Sequence, residues 1–154
     1  MECSSWEGRS RPPPIRLHAS MFRAQEVEEE EGMKDLSNTL REELTKKGAN
    51  LVGFADLQGI EEHKRESMRF GVSVAVALSP DIIKGIKDGP TLEYYNEYNR
   101  INDLLDGIIA YATDLIKDHG FNAIPKLRKN VKIDEKTQST ILPHKTVATR
   151  AGLG

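Results

Sequence analysis

Cysteine is nearly absent from this chain of 154 residues, in which Cys3 is the only one. A single thiol supports no disulfide framework and no thiolate-rich metal site. An iron–sulfur cluster needs about four thiolates, so this chain cannot hold one by itself.

Long apolar runs and a strong charge of one sign are missing as well. No run approaches the roughly 20 apolar residues that span a bilayer, and the first residues lack the apolar core of a secretion signal. The formal net charge is −2, which predicts no bulk attraction to nucleic acid or to acidic membranes. We therefore expect a cytoplasmic protein.

The charge is divided unevenly along the chain. Residues 1–32 hold seven acidic and four basic side chains, whereas residues 33–154 hold seventeen and eighteen. Three prolines and a run of four glutamates within 1–32, with little apolar area to bury, favour disorder. We interpret 1–32 as a disordered or non-native leader, and 33–154 as the folded domain. A regulatory or partner-binding tail is the alternative for 1–32.

Hydrophobic periodicity begins just after the leader. Leu36, Leu40 and Leu44 recur every four residues, which predicts an amphipathic helix from Asp35. Gly48 predicts its end, because glycine accepts the left-handed conformation that caps many helices.

Two segments are typical of strands, at 50–56 and at 72–78. Apolar residues on both faces of the first predict a strand that is covered on both sides. In the second, branched residues form one face, while Ser73, Ala75 and Ala77 leave the other face thin. A thin face favours close packing by a helix, or by a flat ligand as the alternative.

Two helices are predicted after these strands. Ser79 and Pro80 start a short one, and Thr91 caps a longer one that runs to about His119. Its apolar positions alternate in steps of four and three, which places them on one face. They are Tyr94, Tyr98, Ile101, Leu105, Ile108, Ala112 and Leu115. This face suits a coiled coil too, but two strands need a cover, so we expect it to pack on the sheet.

The remaining elements complete the fold class. Residues 121–125 predict a brief strand, and residues 126–137, with five cations and two acids, predict a loop. Strands that alternate with helices indicate an α/β (α+β layered) domain, in which helices cover a small central sheet.

The final residues, 140–154, predict a short helix entered through Pro143 and left through Gly152. His144, Lys145 and Arg150 place three polar or cationic side chains on it. The imidazole of His144 changes charge near neutral pH, so it is a candidate general acid, cofactor contact or phosphate donor. A plain surface histidine is the alternative. No second histidine or carboxylate lies at ligand spacing nearby, so we expect no metal site.

A family resemblance rests on this same stretch. The sequence from Leu142 to Gly154 (LPHKTVATRAGLG) resembles the stretch that precedes Trp-Ile-Gly-Lys in epoxyqueuosine-reductase-like iron–sulfur proteins. The segments 50–56 and 72–78 are similar to the two early strands of that family, and the likeness spans roughly 33–154.

The resemblance implies a fold, a cofactor and partners. It implies an incomplete N-terminal corrinoid-binding domain, related to flavin-nitroreductase-like folds. A ferredoxin-like domain with two 4Fe–4S clusters would follow it. The implied cofactor is cobalamin, the implied chemistry is oxidoreduction in tRNA modification, and the implied substrate is a tRNA anticodon. It places Arg150 and the turn formed by Gly152, Leu153 and Gly154 near the cofactor. Together with His144 and Lys145 of the same segment, Arg150, Gly152 and Gly154 are the candidate cofactor-binding residues.

One position departs from the family pattern. The family's catalytic aspartate precedes Ala-Gly-Leu-Gly by thirteen residues, where this chain has Gln138. An amide cannot act as an ionising acid, so the resemblance supports the fold and cofactor class better than epoxide reduction. The catalytic residue is therefore left unassigned.

Two other features leave alternatives open. Residues 126–150 carry seven cations and two acids, which favours either a phosphate-binding surface or an ordinary solvated loop. Tyr94, Tyr95 and Tyr98 suit ligand hydrogen bonds, or the start of an amphipathic helix, which is the simpler interpretation. The competing functions are a non-catalytic module that binds RNA or another polyanion, and an inactive truncated product.

Overall fold

The structure is a computed structural model of the chain. It describes the backbone of residues 16–137 and 140–154, and the side chains of residues 31–137 and 140–154. Its helices are α1 (Arg16–Lys46), α2 (Pro80–Gly85), α3 (Leu92–Asp118) and α4 (His144–Arg150), and its strands are β1 (Leu51–Asp56) and β2 (Phe70–Ala75). A 3-10 turn covers Arg128–Asn130. The chain divides into two compact units, Met1–Asp35 and Leu36–Gly154.

Helix α1 begins at Arg16 rather than at the expected Asp35. Residues 21–34 are mostly Glu, Ala, Gln, Arg, Met and Lys, which favour helices, and no proline interrupts them. The second half of the expected disordered leader is therefore helical, while its first fifteen residues lie outside the described part. That 1–32 is a non-native leader stays a prediction.

The end of α1 follows the predicted cap. Gly48 has a φ of +109°, and the N–H of Ala49 donates to the carbonyl of Leu44 at 3.0 Å. This bond spans the last turn and satisfies a carbonyl that the helix itself leaves free. The cap places Ala49 in the core and starts β1 two residues later.

The two strands form one antiparallel sheet, with pairs running from Leu51–Ala75 to Asp56–Phe70. The prediction that the two segments are neighbours is confirmed. The second strand covers Phe70–Ala75 rather than the predicted 72–78, because pairing with β1 sets its bounds. Beyond the last pair, the side-chain carbonyl of Asn50 accepts the N–H of Ala77 at 2.8 Å and ends the ladder.

One face of the sheet lies on the main core, which combines α1, β1 and α3. Leu36, Leu40 and Leu44 of α1 are buried as predicted, and they pack with Val52 and Ile108. The partly buried residues that pack against this cluster include Phe54, Val72, Val74, Leu104 and Leu115. Burial of these side chains from three elements joins the helices to the sheet.

The thin face of the sheet is covered by α4 and the residues that follow it. A Cβ on Gly53 would lie 2.9 Å from the Cβ of Ala151, and one on Gly71 would lie 2.9 Å from Cγ1 of Val147. Backbone and helix therefore approach more closely than any larger residue would allow. The prediction of a helix on the thin face is confirmed, and so is a strand covered on both sides.

Helix α3 begins where the sequence predicts. The hydroxyl of Thr91 accepts the N–H of Tyr94 at 3.2 Å, and Ile101, Ile108 and Ala112 are buried. Tyr98, expected to face inward, is 46% exposed. The helix packs on the sheet and core, as expected.

Glu97 is a buried carboxylate that the sequence pattern did not indicate. It is 8% exposed, accepts bonds from Nε and Nη2 of Arg100 at 2.8 and 2.9 Å, and accepts the N–H of Ser79 at 3.3 Å. These bonds connect α3 to the residue that precedes α2, and they explain how a charge is tolerated there.

The segment 121–125 is not a strand, so that prediction was wrong. Pro125 has no N–H to donate to a ladder, and no described strand lies beside the segment. Between β1 and β2 the chain forms turns and no regular helix. The class is α+β, with helices on both faces of a two-stranded antiparallel sheet.

Candidate cofactor-binding cleft

A cleft of about 540 Å³ lies along the side of β2 that faces away from β1. We call it the β2 cleft. Its walls are β2, one side of α3, the segment 122–133 and the beginning of α4. Pockets that hold small molecules and cofactors have volumes of roughly 300–1,000 Å³, so this cleft falls in their range.

Helix α3 supplies the apolar wall of the β2 cleft. Leu105, Ile109, Ala112 and Ile116 recur at steps of three and four, so they lie on one side of the helix. Asn102 lies on the same side, one turn before Asp106. The wall thus combines an apolar stripe with two polar groups at one end, as ligand pockets commonly do.

The charged side chains at the cleft are held by partners within the chain. Lys126 forms an ion pair with Glu66. Arg65 donates to the carbonyls of Ile60 and Met68, both at 3.1 Å. These bonds fix the charges in place around the opening.

Asp106 and Arg128 form a second contact, between α3 and the segment 122–133. A carboxylate oxygen of Asp106 accepts the backbone N–H of Arg128 at 3.1 Å. The guanidinium of Arg128 lies 3.8 Å from the carboxylate of Asp103, and both side chains are well exposed. The contact positions the segment over α3 and leaves the arginine side chain near water.

The predicted cofactor residues are divided among three places. His144 lines the β2 cleft, whereas Lys145 is exposed and does not line it. Arg150 donates to the carbonyls of Asp56 and Gln58, at 3.4 and 3.2 Å. The structure therefore brings His144 to the cleft and uses Arg150 to hold α4 at the end of β1.

The two predicted glycines lie at the end of α4. Gly152 has a φ of +76°, and Gly154 has a φ of +130°. The hydroxyl of Thr149 donates to the carbonyl of Gly154 at 2.8 Å, so the chain turns back on the helix. Neither glycine lines the β2 cleft. Gln138, at the position of the family's catalytic aspartate, lies outside the described residues.

The sequence alone missed most of the residues that line this cleft. Asn102, Asp106 and Ile109 lie one step away from the core stripe of α3, and the mixed polar and apolar pattern there is the signal that could have found them. Arg65 and Glu66 lie among the turns between β1 and β2. Their place at the cleft depends on chain folding that no local pattern encodes.

The outer edge of β1 is capped by arginines. The carbonyl of Val52 accepts from Nη1 of Arg41 at 2.9 Å, and that of Asp56 accepts from Nη1 of Arg150. A carbonyl that already accepts a guanidinium N–H is not free to pair with another chain, and covering an edge strand in this way protects it. This edge is therefore closed to further strands at two of its carbonyls.

The outer edge of β2 is open to the cleft. Leu57 donates to the carbonyl of Arg69 at 2.7 Å, which makes them a hydrogen-bonded pair, and antiparallel ladders alternate such pairs with unbonded ones. Every second residue of β2 therefore directs its N–H and C=O away from β1. These residues are Phe70, Val72 and Val74. No backbone group of residues 16–137 and 140–154 bonds to them on that side.

Several carboxylates have lowered pKa values for structural reasons. The bonds from Arg100, then that from Ser79, lower the pKa of Glu97 despite its burial. The bond from Lys46, then that from Tyr111, lowers the pKa of Glu43. The backbone N–H of Thr137 lowers the pKa of Asp134. None of the three lines the β2 cleft.

Of the basic residues in 126–150, three are engaged by groups of this chain. Lys126 pairs with Glu66, Arg128 lies beside Asp103, and Arg150 binds backbone carbonyls. The other four are exposed: Lys129, Lys132, Lys136 and Lys145. The segment is therefore a partly paired surface rather than a uniformly free cationic one.

Among residues 31–137 and 140–154, no cluster of three or more His, Cys, Asp or Glu side chains is suited to a metal ion. None of the helices there has the length and apolar character to cross a membrane.

Comparisons with protein-family models, with curated proteins and with solved structures gave no match. The resemblance to epoxyqueuosine-reductase-like proteins therefore stays a prediction.

Proposed function

We propose that this chain is the cofactor-binding part of an iron–sulfur oxidoreductase similar to epoxyqueuosine reductase, and that the β2 cleft holds part of a cobalamin. The observation that carries the proposal is the position of this cleft. It lies beside the open edge of β2, with His144 of the family-like segment on its lining. A nitroreductase-like ancestry of the domain is part of the same proposal.

The residues at the cleft suit a corrinoid in kind. The apolar side chains Leu105, Ile109 and Ile116 match the body of a macrocycle, and Asn102 and His144 match its polar rim. Cobalamin, when bound, supplies the redox chemistry of cobalt, whereas this chain binds and orients it. The clusters that deliver electrons need thiolates that this chain lacks.

His144 is the polar contact that α4 offers within this proposal. Its exposed imidazole can donate or accept a hydrogen bond at the cleft. Lys145 and the other exposed lysines lie on the outside, where a tRNA phosphate backbone could approach. The charge of this surface is therefore compatible with a tRNA substrate. The choice of tRNA itself comes from the family resemblance.

A titration with hydroxocobalamin tests the proposal. We expect the visible absorption spectrum of the corrinoid to change in a saturable way when the purified chain is added. Ala123→Trp, which fills the cleft from segment 122–133, should abolish the change. Ala110→Trp, on the exposed side of α3, is the matched control and should leave it intact. No spectral change with the wild-type chain, or equal binding by both variants, would contradict the proposal.

Binding to polyanions is the second candidate, favoured by the four exposed lysines of 126–150. It predicts affinity for RNA that falls steeply with salt and is reduced by Lys129→Ala. Absence of salt-dependent RNA binding at low ionic strength would remove this candidate and leave the cofactor proposal untouched.

A further inference from the structure

The two outer edges of the sheet differ in how the fold treats them. Arg41 and Arg150 occupy carbonyls on the edge of β1. The edge of β2 carries no charged residue from Phe70 to Ala75, and within the described ranges no backbone group bonds to it. Proteins normally cover, charge or shorten an edge strand. An edge left open inside a cleft is therefore a place where a ligand can bind the backbone.

This open edge offers donors and acceptors in alternation. Phe70, Val72 and Val74 each direct one N–H and one C=O into the cleft. The N–H and C=O of one of these residues lie about 7 Å from those of the next, two positions along the strand. A primary carboxamide carries both N–H donors and a C=O acceptor, so one such group can satisfy both members of the edge. A carboxylate has only acceptors, and a methyl ester has no donor.

The charges around the cleft almost cancel, so they give little advantage to an acidic ligand. Three cations and two carboxylates line it, and Lys126 is paired with Glu66; the other three are Arg65, Arg128 and Asp106. Buried hydrogen-bonding groups discriminate strongly between ligands. A ligand that leaves them unpaired forgoes the hydrogen bond, and the desolvation of the unpaired group lowers its affinity further. Neutral groups with both donors and acceptors are thus the best match for this edge.

We propose that the outer edge of β2 recognises carboxamide side chains on the ligand of the β2 cleft, with the backbone of Val72 and Val74 at the centre. This inference rests on the proposed function and names the feature of the corrinoid that this chain reads. The ligand class is a largely apolar ring with carboxamides on its rim, bound without a free carboxylate against the strand.

Two corrinoids that differ in their side chains test the inference from the ligand side. Dicyanocobinamide keeps the carboxamides, whereas the heptamethyl ester of dicyanocobyrinic acid replaces them with methyl esters. Equilibrium dialysis gives both dissociation constants. We expect the ester to bind at least about tenfold more weakly, because its groups cannot donate to the strand carbonyls. Equal affinity would overturn the inference.

A pair of variants tests it from the protein side. Val72→Pro removes an outward N–H, and proline is tolerated at such a position because the N–H is not part of the ladder. Val72→Ala loses the same side chain but keeps the N–H, so it is the matched control. We expect Val72→Pro to bind dicyanocobinamide about tenfold more weakly than Val72→Ala, with the same far-UV circular dichroism. Equal binding by the two folded variants would overturn the inference.

The outcomes separate this inference from the proposed function. If neither corrinoid binds the wild-type chain, the proposed function and the inference both fail. If both corrinoids bind equally, the inference fails and the proposed function stands. Should Val72→Pro not fold, the comparison of the two corrinoids on the wild-type chain still decides.

Discussion

Gly53 and Gly71 set how closely α4 approaches the sheet. At Gly53 an added Cβ would meet the Cβ of Ala151 and the Cγ of Leu153, each at 2.9 Å. Such contacts are shorter than packed carbon atoms allow, and the backbone of the C-terminal residues would have to move. Because these two residues lack a side chain, α4 and the residues after it can cover the second face of the sheet.

We expect Gly53→Ala to destabilise the domain by about 1–3 kcal/mol, because overpacking pushes Ala151 and Leu153 off the strand. Urea unfolding followed by circular dichroism measures the change. Gly107→Ala is the control, since Gly107 is exposed in α3 with nothing within 4 Å of its added Cβ. That change should stabilise by roughly 0.5–1 kcal/mol. Equal effects of the two substitutions would argue against close packing by the C-terminal segment.

Glu97 makes stability depend on pH. Its pKa lies below the ordinary value of 4.5, first because of the bonds from Arg100. Because the pKa is lowered in the folded state, the ionised carboxylate stabilises the fold at pH values above its unfolded-state pKa. This stabilisation is lost as the pH falls through the folded-state pKa. The contribution of Glu97 to stability therefore declines below about pH 4.5.

We expect Glu97→Gln to lower the Tm at pH 7, with a gap to the wild type that narrows as the pH falls toward about 3. Differential scanning calorimetry across this range measures the gap. Asp114→Asn, which removes an exposed carboxylate from the same helix, is the control for the loss of one charge. A gap that stays constant down to the lowest pH would contradict the assigned role.

At the scale of elements, α4 is held by packing and by one arginine. Val147 and Ala151 lie against the sheet, and Arg150 donates to the carbonyl of Asp56, the last residue of β1, and to that of Gln58 just beyond it. The helix has only seven residues, which is too short to persist alone in water. Its position, and with it the position of His144 at the cleft, depends on these contacts.

We expect Arg150→Ala to destabilise the domain by about 0.5–1.5 kcal/mol, the usual worth of an exposed hydrogen bond. Lys145→Ala, on the same helix with no partner among the described residues, should change stability by less than about 0.5 kcal/mol. Chemical denaturation of both variants gives the comparison. If Arg150→Ala left the free energy of unfolding unchanged, packing alone would hold α4.

Elements whose ends depend on neighbouring residues were predictable from the sequence. Gly48 ends α1, Thr91 caps α3, and Pro143 precedes α4, because each acts on the backbone within a few residues. The bounds of β2 were not predictable to the residue, since pairing with β1 decides them. The strand expected at 121–125 failed for the same reason, as it has no partner.

At the scale of the whole molecule, the β2 cleft was beyond the reach of sequence patterns. It joins Phe70, Ile109, Ala123 and His144, which are far apart in the chain. Of the predicted cofactor residues, only His144 was placed there, whereas Arg150 acts on the end of β1. Local periodicity described each wall, and tertiary packing alone made the walls face one another.

The most direct test of the account is amide chemical-shift mapping of the ¹⁵N-labelled chain during a titration with hydroxocobalamin. We predict saturable shifts confined to the walls of the cleft, which are β2, residues 102–116 of α3, the segment 122–133 and the beginning of α4, with an unchanged spectrum for α2. Absence of any shift, or shifts centred on α2 and the start of α3, would contradict the claim that the β2 cleft binds the cofactor.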